Sequence, residues 1–292
     1  MRTFSTVQTG TYYWANEPIG KDDKIMTIDI TIVNMLGILM LESIMLGLVC
    51  MACWKIGARG EFVPYWGGLV VSLLFSVCCV SLLNILFSMI FSPDSIVYAM
   101  LSPLVTIVIA LVGMYLGFTS IHKDRTDRRN AVSFGLGFAS AQSITSIGIP
   151  MLTSFIYASS INQLGLDKMT ASMSQADAES FREMANELAA TSLSELTWMV
   201  AEIIAIVVLY TALAVPTFAV AHGKGDRKEL VIIGAFLYVG LLPLSLMNII
   251  PSIPLWMAET ILLLAAAGTV VYARRIYNTL PKARVYDGRT RI

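Results

Sequence analysis

Residues 96–121 read IVYAMLSPLVTIVIALVGMYLGFTSI, 26 positions without one Asp, Glu, Lys or Arg. A helix of that length spans about 39 Å at 1.5 Å per residue, which exceeds the roughly 30 Å hydrocarbon core of a bilayer. Six more stretches of the same kind surround it: Ile30–Trp54, Tyr65–Phe91, Asn130–Tyr157, Leu196–Ala221, Glu229–Ile250 and Leu255–Tyr277. Several of their limits are marked by Pro64, by Ser92-Pro93-Asp94 and by Pro251-Ser252-Ile253-Pro254, turn chemistry that a continuing helix does not tolerate. The fold class that follows is all-α, a polytopic membrane helix bundle of seven transmembrane helices.

The composition agrees. Of 292 residues, 56% are apolar and 14% charged, with a mean hydropathy of +0.72. Soluble domains carry roughly a quarter charged residues, so a soluble enzyme is excluded. The 20 basic residues balance the 20 acidic ones, leaving no excess charge for a nucleic-acid surface. Cys50, Cys53, Cys78 and Cys79 all lie in apolar runs, unlike a disulfide framework.

Fifteen of the twenty Lys and Arg residues fall in alternate connections and the carboxyl-terminal tail. The positive-inside rule puts that set in the cytoplasm, with the amino terminus outside and the carboxyl terminus inside. The chain then divides as one membrane domain. It has an extracytoplasmic tail (1–29), four spans (30–157), an extracytoplasmic connection (158–195), three spans (196–277) and a basic cytoplasmic tail (278–292). Residues before Met26 lack the basic-then-apolar pattern of a cleaved signal, so the tail is expected to stay attached. Within the connection, Ser174 precedes Asp177 by three residues, and Phe181, Met184 and Leu188 recur at helical spacing. That pattern predicts a capped amphipathic helix across the mouth of the bundle, a lid or simply a solvated cap. Inverted halves of the transporter type are not visible.

An ionisable side chain at mid-membrane costs about 2.5–3.5 kcal/mol and calls for a reason. Glu42 lies halfway along the first span and Glu202 two turns into the fifth, and both are expected to face the bundle interior. Glu259, one turn into the seventh, is expected to reach the outer interface. The fourth span interleaves Ser133, Ser140, Gln142, Ser143, Thr145 and Ser146 with Gly135, Gly137 and Gly148, a pattern for close helix packing or for a cavity wall. A polar cavity would draw on Glu42, Glu202, Gln142, Ser143 and Tyr210. The two histidines, His122 and His222, stand in basic loops and are expected to be solvated or to face lipid headgroups. The spans contain neither a His nor an H-E-x-x-H spacing. Cys50-x-x-Cys53 has no second pair, so neither a metal ligand nor a cofactor is expected.

Gly113-Met-Tyr115-Leu-Gly117-Phe118, the loop His122-Lys-Asp-Arg-Thr-Asp-Arg-Arg129, Ala131-Val-Ser-Phe134-Gly135-Leu-Gly137 and Gln142-Ser-Ile144 together resemble the YhfC family of intramembrane metalloproteases. The order of spans, the hairpin from Trp54 to Trp66 and the long loop before the fifth span extend the likeness over most of the chain. The resemblance implies a metal that activates water, with a glutamate as general base, at a dry site among the spans. The departures fall on that chemistry. Ala110 and Leu111 stand where the family has two glutamates and Met114 where it has Arg. Phe138 and Gln142 replace the His and Glu of the fourth span, Tyr210 the His of the fifth, and Tyr238 roughly that of the sixth. The expectation is a plasma-membrane pseudoprotease that binds transmembrane or apolar peptide clients without cutting them. Two alternatives stay open: an active metalloprotease, and a permease or transmembrane subunit of a transport complex.

Overall fold

In the computed structural model, residues 27–123, 126–247, 249–250 and 252–281 are described, Val77 by its backbone alone. The expected tails lie outside the described residues over 1–26 and 282–292. Nine helices form among the described residues: α1 (Ile30–Ala58), α2 (Phe62–Ile90), α3 (Ile96–Ile121), α4 (Arg128–Leu164), α5 (Leu166–Thr170), α6 (Gln175–Ala190), α7 (Leu193–Ala221), α8 (Lys228–Met247) and α9 (Leu255–Thr279). Seven of them, α1–α4 and α7–α9, are long and apolar enough to cross a membrane. Single π-helical turns interrupt α2 at Leu73–Cys79, α3 at Gly117–Ile121 and α4 at Ile144–Gly148.

Burial inverts the soluble-protein rule. The first half of α4 has few bulky apolar residues, yet every residue from Asn130 to Ser143 except Val132 is buried. Val70, Leu74, Leu82, Ile85, Val108 and Val112 of α2 and α3 are exposed instead. Lipid tails are as apolar as leucine, so a bulky side chain gains little by turning inward, whereas small residues let backbones approach and gain packing. At Gly137 an added methyl would overlap the Tyr65 carbonyl oxygen of α2, and at Gly68 of α2 one would overlap the Phe134 carbonyl oxygen. On the other side of α4, a methyl on Gly135 would stand 2.7 Å from Cβ of Ala214 in α7. α1 docks by exchange: Ser140 of α4 fills the space at Gly47, and Ser43 of α1 fills the space at Gly148.

α7 is the central helix, buried over most of its length, while the other spans bury a third or less of their most apolar stretch. It packs on α4 and α9, and α8 lies against α9 and α3. A capping box starts it. Ser192 Oγ accepts from the Glu195 N–H at 3.2 Å, and the Ser192 N–H donates to the Glu195 carboxylate at 3.1 Å.

Polar clamps tie the ends. The Asn162 side chain accepts from the Ile28 N–H and donates to the Ile28 carbonyl, both at 2.8 Å, joining the start of α1 to the last turn of α4. At the opposite, basic end, Arg128 donates to the Tyr277 carbonyl at 3.1 Å and covers the Tyr277 ring at 4.4 Å, while Arg129 donates to the Ala58 carbonyl at 3.3 Å.

The connection expected from Ala158 begins only at Gly165, because α4 remains helical to Leu164. The predicted amphipathic helix is α6, capped by Ser174 Oγ accepting from the Asp177 N–H at 3.2 Å. It turns Ala178, Ala185 and Leu188 inward and sets Phe181 edge-on to Tyr157, 5.5 Å between ring centres. It therefore rests on the projecting turns of α4.

Candidate functional site

The positions singled out on α4 and α7 converge. Phe138, wholly buried, lies against Tyr210 with ring centres 5.8 Å apart and planes 29° from parallel. Gln142 follows Phe138 by one turn on the same face, and its side chain is within reach of the Tyr210 hydroxyl. Ala110 and Met114 of α3 are also fully buried. Leu111 and Tyr238 take another place, the contact between α3 and α8. Leu111 abuts Gly234, and the Tyr238 hydroxyl donates to the Met100 carbonyl at 3.2 Å. So the structure joins Phe138, Gln142 and Tyr210 and sets Tyr238 apart.

Gln142 leads directly into the π-turn of α4. The backbone carbonyls there are covered by hydroxyls, Thr145 Oγ1 donating to the Ala141 carbonyl at 2.8 Å and Ser146 Oγ to that of Gln142 at 2.6 Å. Such turns bulge a helix locally and are frequent at functional sites. Ser143 is fully buried, and its hydroxyl has no hydrogen-bond partner among the described residues.

Two of the three membrane carboxylates meet. Glu202 of α7 is 8% exposed, Glu259 of α9 is 0% exposed, and their carboxyl groups lie beside each other. The expectation that Glu259 reaches the outer interface is thus overturned. α9 runs along α7, and Glu259 opens the buried stripe Leu262, Ala266, Thr269, Ala273, Ile276. That three-and-four spacing was the sequence signal for it, and its depth taken alone concealed it. Glu202 precedes Tyr210 by eight residues, so the pair sits about 12 Å along α7 from the aromatic cluster, toward the 158–195 connection. Glu42 does not join them. It is half-buried on α1, flanked by exposed Leu41 and Ile44, and no hydrogen bond among the described residues holds it.

The histidines require a second correction. His122 is 3% exposed, not solvated. The π-turn ending α3 brings the His122 N–H to the Gly117 carbonyl at 3.2 Å and tucks the ring under Gly67, where a methyl would strike its Nε2. Its ring stands edge-on to Phe134 at 5.7 Å. His222 is half-buried, its Nδ1 3.0 Å from the Phe218 carbonyl and its ring 4.2 Å from that of Phe218. Both belong to an aromatic layer with Phe118 that closes the basic end of the bundle. Cys50 and Cys53 are free thiols that line an open apolar groove of about 440 Å³ with Trp54, Val132 and Leu136.

A zinc centre takes three or four converging His, Cys, Asp or Glu ligands. Among the described residues no three such side chains gather. The polar groups at the Phe138–Tyr210 cluster are an amide and a phenol, and the nearest carboxyl pair has no imidazole or thiol beside it. These residues do not fit a hydrolytic metal. They make a packed, weakly polar plug, with a buried pair of acids above it.

A family model described as YhfC intramembrane metalloprotease matches residues 71–245, from the middle of α2 to the end of α8. No curated protein and no solved structure matches the chain.

Proposed function

From the premise that the chain belongs to the YhfC intramembrane metalloprotease family, we propose that it is a non-cleaving member, one that holds transmembrane or apolar peptide segments. The observation that carries this reading is the filled site. Where the resemblance sets a His and a Glu on the fourth span and a His on the fifth, Phe138 is stacked on Tyr210 with Gln142 beside them. Hydrolysis needs a water made nucleophilic by a metal or by a positioned base. An aromatic pair in close contact leaves that water no room, and an amide is no base. The reading is supported further by the family's multi-span helical framework, which is present here with small residues at the α2–α4 and α4–α7 contacts. In this reading the protein resides in the plasma membrane, with its basic end in the cytoplasm.

The test is reconstitution of pure protein with a fluorogenic transmembrane peptide, paired with metal analysis. The expected result is binding of the peptide, less than a tenth of an equivalent of zinc, and no cleavage that a chelator removes. Chelator-sensitive cleavage by pure protein would overturn the proposal and restore the protease. A complementary variant joins Ala110→Glu, Leu111→Glu, Met114→Arg, Phe138→His, Gln142→Glu and Tyr210→His. It should gain zinc binding if these positions surround a former metal site.

A further inference from the structure

α7 and α9 bury two acids against each other, and among the described residues no basic side chain stands beside them. Glu259 is fully enclosed, and neither of its carboxyl oxygens has a hydrogen-bond partner among the described residues, although Glu202 is its immediate neighbour. Among the described residues the basic groups stand at the helix ends. Lys55, Arg128, Arg129, Lys228, Arg274 and Arg275 are at the basic end. Lys168 and Arg182 are exposed at the other, Arg182 lying 3.8 Å from Asp167. Titratable groups on the helices packed around the pair give no help. Glu42 of α1 and Tyr98 of α3 are half-buried and interact with neither acid, Tyr210 is engaged with Gln142, Glu195 on the first turn of α7 is half-buried and accepts from the Ser192 N–H, and Glu229 of α8 lies at the basic end.

Two carboxylates side by side in such surroundings cannot both be ionised. One proton resolves the difficulty, since a carboxyl O–H then donates to the neighbouring carboxylate and gives the isolated oxygens of Glu259 a partner. We propose that Glu202 and Glu259 form a proton-binding site, a single proton held between two carboxyl groups and joining α7 to α9. Loading takes one proton from interfacial water onto one carboxylate and leaves the pair with a net charge of −1, with no other bond made or broken. The site is separate from the Phe138–Tyr210 cluster and does not depend on whether the protein cleaves.

Dicyclohexylcarbodiimide, a membrane-permeant reagent that attacks protonated carboxyl groups, tests this on purified protein in liposomes, with adducts mapped by peptide mass spectrometry so that Glu42 is scored apart. At neutral pH the expected result is one adduct per chain on Glu202 or Glu259, declining as the pH is raised. Glu202→Gln with Glu259→Gln should remove that adduct and the infrared carbonyl band of the protonated acid. Glu259→Gln alone relieves the like charge and supplies an amide donor, and should lower the pH at which Glu202 labels by about 1 unit or more. Two adducts per chain, no adduct on either residue at neutral pH, or an unchanged labelling profile in Glu259→Gln would each overturn the proposal. Protection by sodium but not choline at fixed pH would also overturn it, assigning the site to a metal cation.

Discussion

Gly137→Ala adds one methyl at the place where α4 lies closest to α2. The new carbon would overlap the Tyr65 carbonyl oxygen and stand 2.7 Å from the carbonyl carbon and 3.0 Å from Cα. All three atoms are helix backbone, so no rotamer change relieves the clash, and Gly68 holds α2 against α4 from the other side. A forced methylene in a packed interior costs about 1–3 kcal/mol. Backbone contact places this case near the upper figure, offset by roughly 1 kcal/mol from the better helix propensity of alanine. The net expectation is a loss of about 2 kcal/mol, roughly a 30-fold fall in the folded-to-unfolded ratio. Hydrophobic transfer does not enter, because the effect is steric and holds equally in lipid. Unfolding by sodium dodecyl sulfate in mixed micelles, followed by circular dichroism, measures it, with Gly57→Ala as the control because a methyl there meets nothing within 4 Å. Equal midpoints for Gly137→Ala and Gly57→Ala would refute the α2–α4 contact and with it the position of Phe138.

Two further outcomes are expected. If the basic end is cytoplasmic, Thr126→Cys should resist an impermeant thiol reagent in intact cells while Glu179→Cys labels, both positions being exposed; the opposite pattern would invert the topology. Ser192→Ala removes the capping box of α7 and should cost about 1 kcal/mol in the same micelle titration, an unchanged midpoint meaning that the first turn of α7 is not needed for its packing.

The seven spans were legible because length and lack of charge suffice for a bilayer, and Ser174 announced α6 by local capping chemistry. What escaped was rotation about each axis. In a helix apolar on every side the period of hydrophobic residues carries no facing information, so Glu42 and Glu202 looked alike although only Glu202 turns inward. The stripe from Glu259 to Ile276 did hold that information, because α9 sets small or polar residues at its contact positions. His122 was misjudged from its charged neighbours, since a π-turn that redirects a side chain leaves no sign in composition. The meeting of Phe138, Gln142 and Tyr210 depends on two helices distant in sequence and was anticipated only through the family resemblance.

The attachments of α1 bear on how the protein is made. Its partners in the bundle are α4, at the Ile28–Asn162 clamp, the Ser43–Gly148 and Gly47–Ser140 contacts and the Arg129–Ala58 bond, and the later helix α7, whereas it barely touches α2, which follows it in the chain. Asn162 is synthesised about a hundred residues after α1 is complete, an interval of roughly 5–20 s at ordinary rates of translation. Until α4 has been made, α1 lacks these contacts. α1 is therefore inserted well before it is fastened, and a ribosome stalled before α4 leaves it without its docking partners.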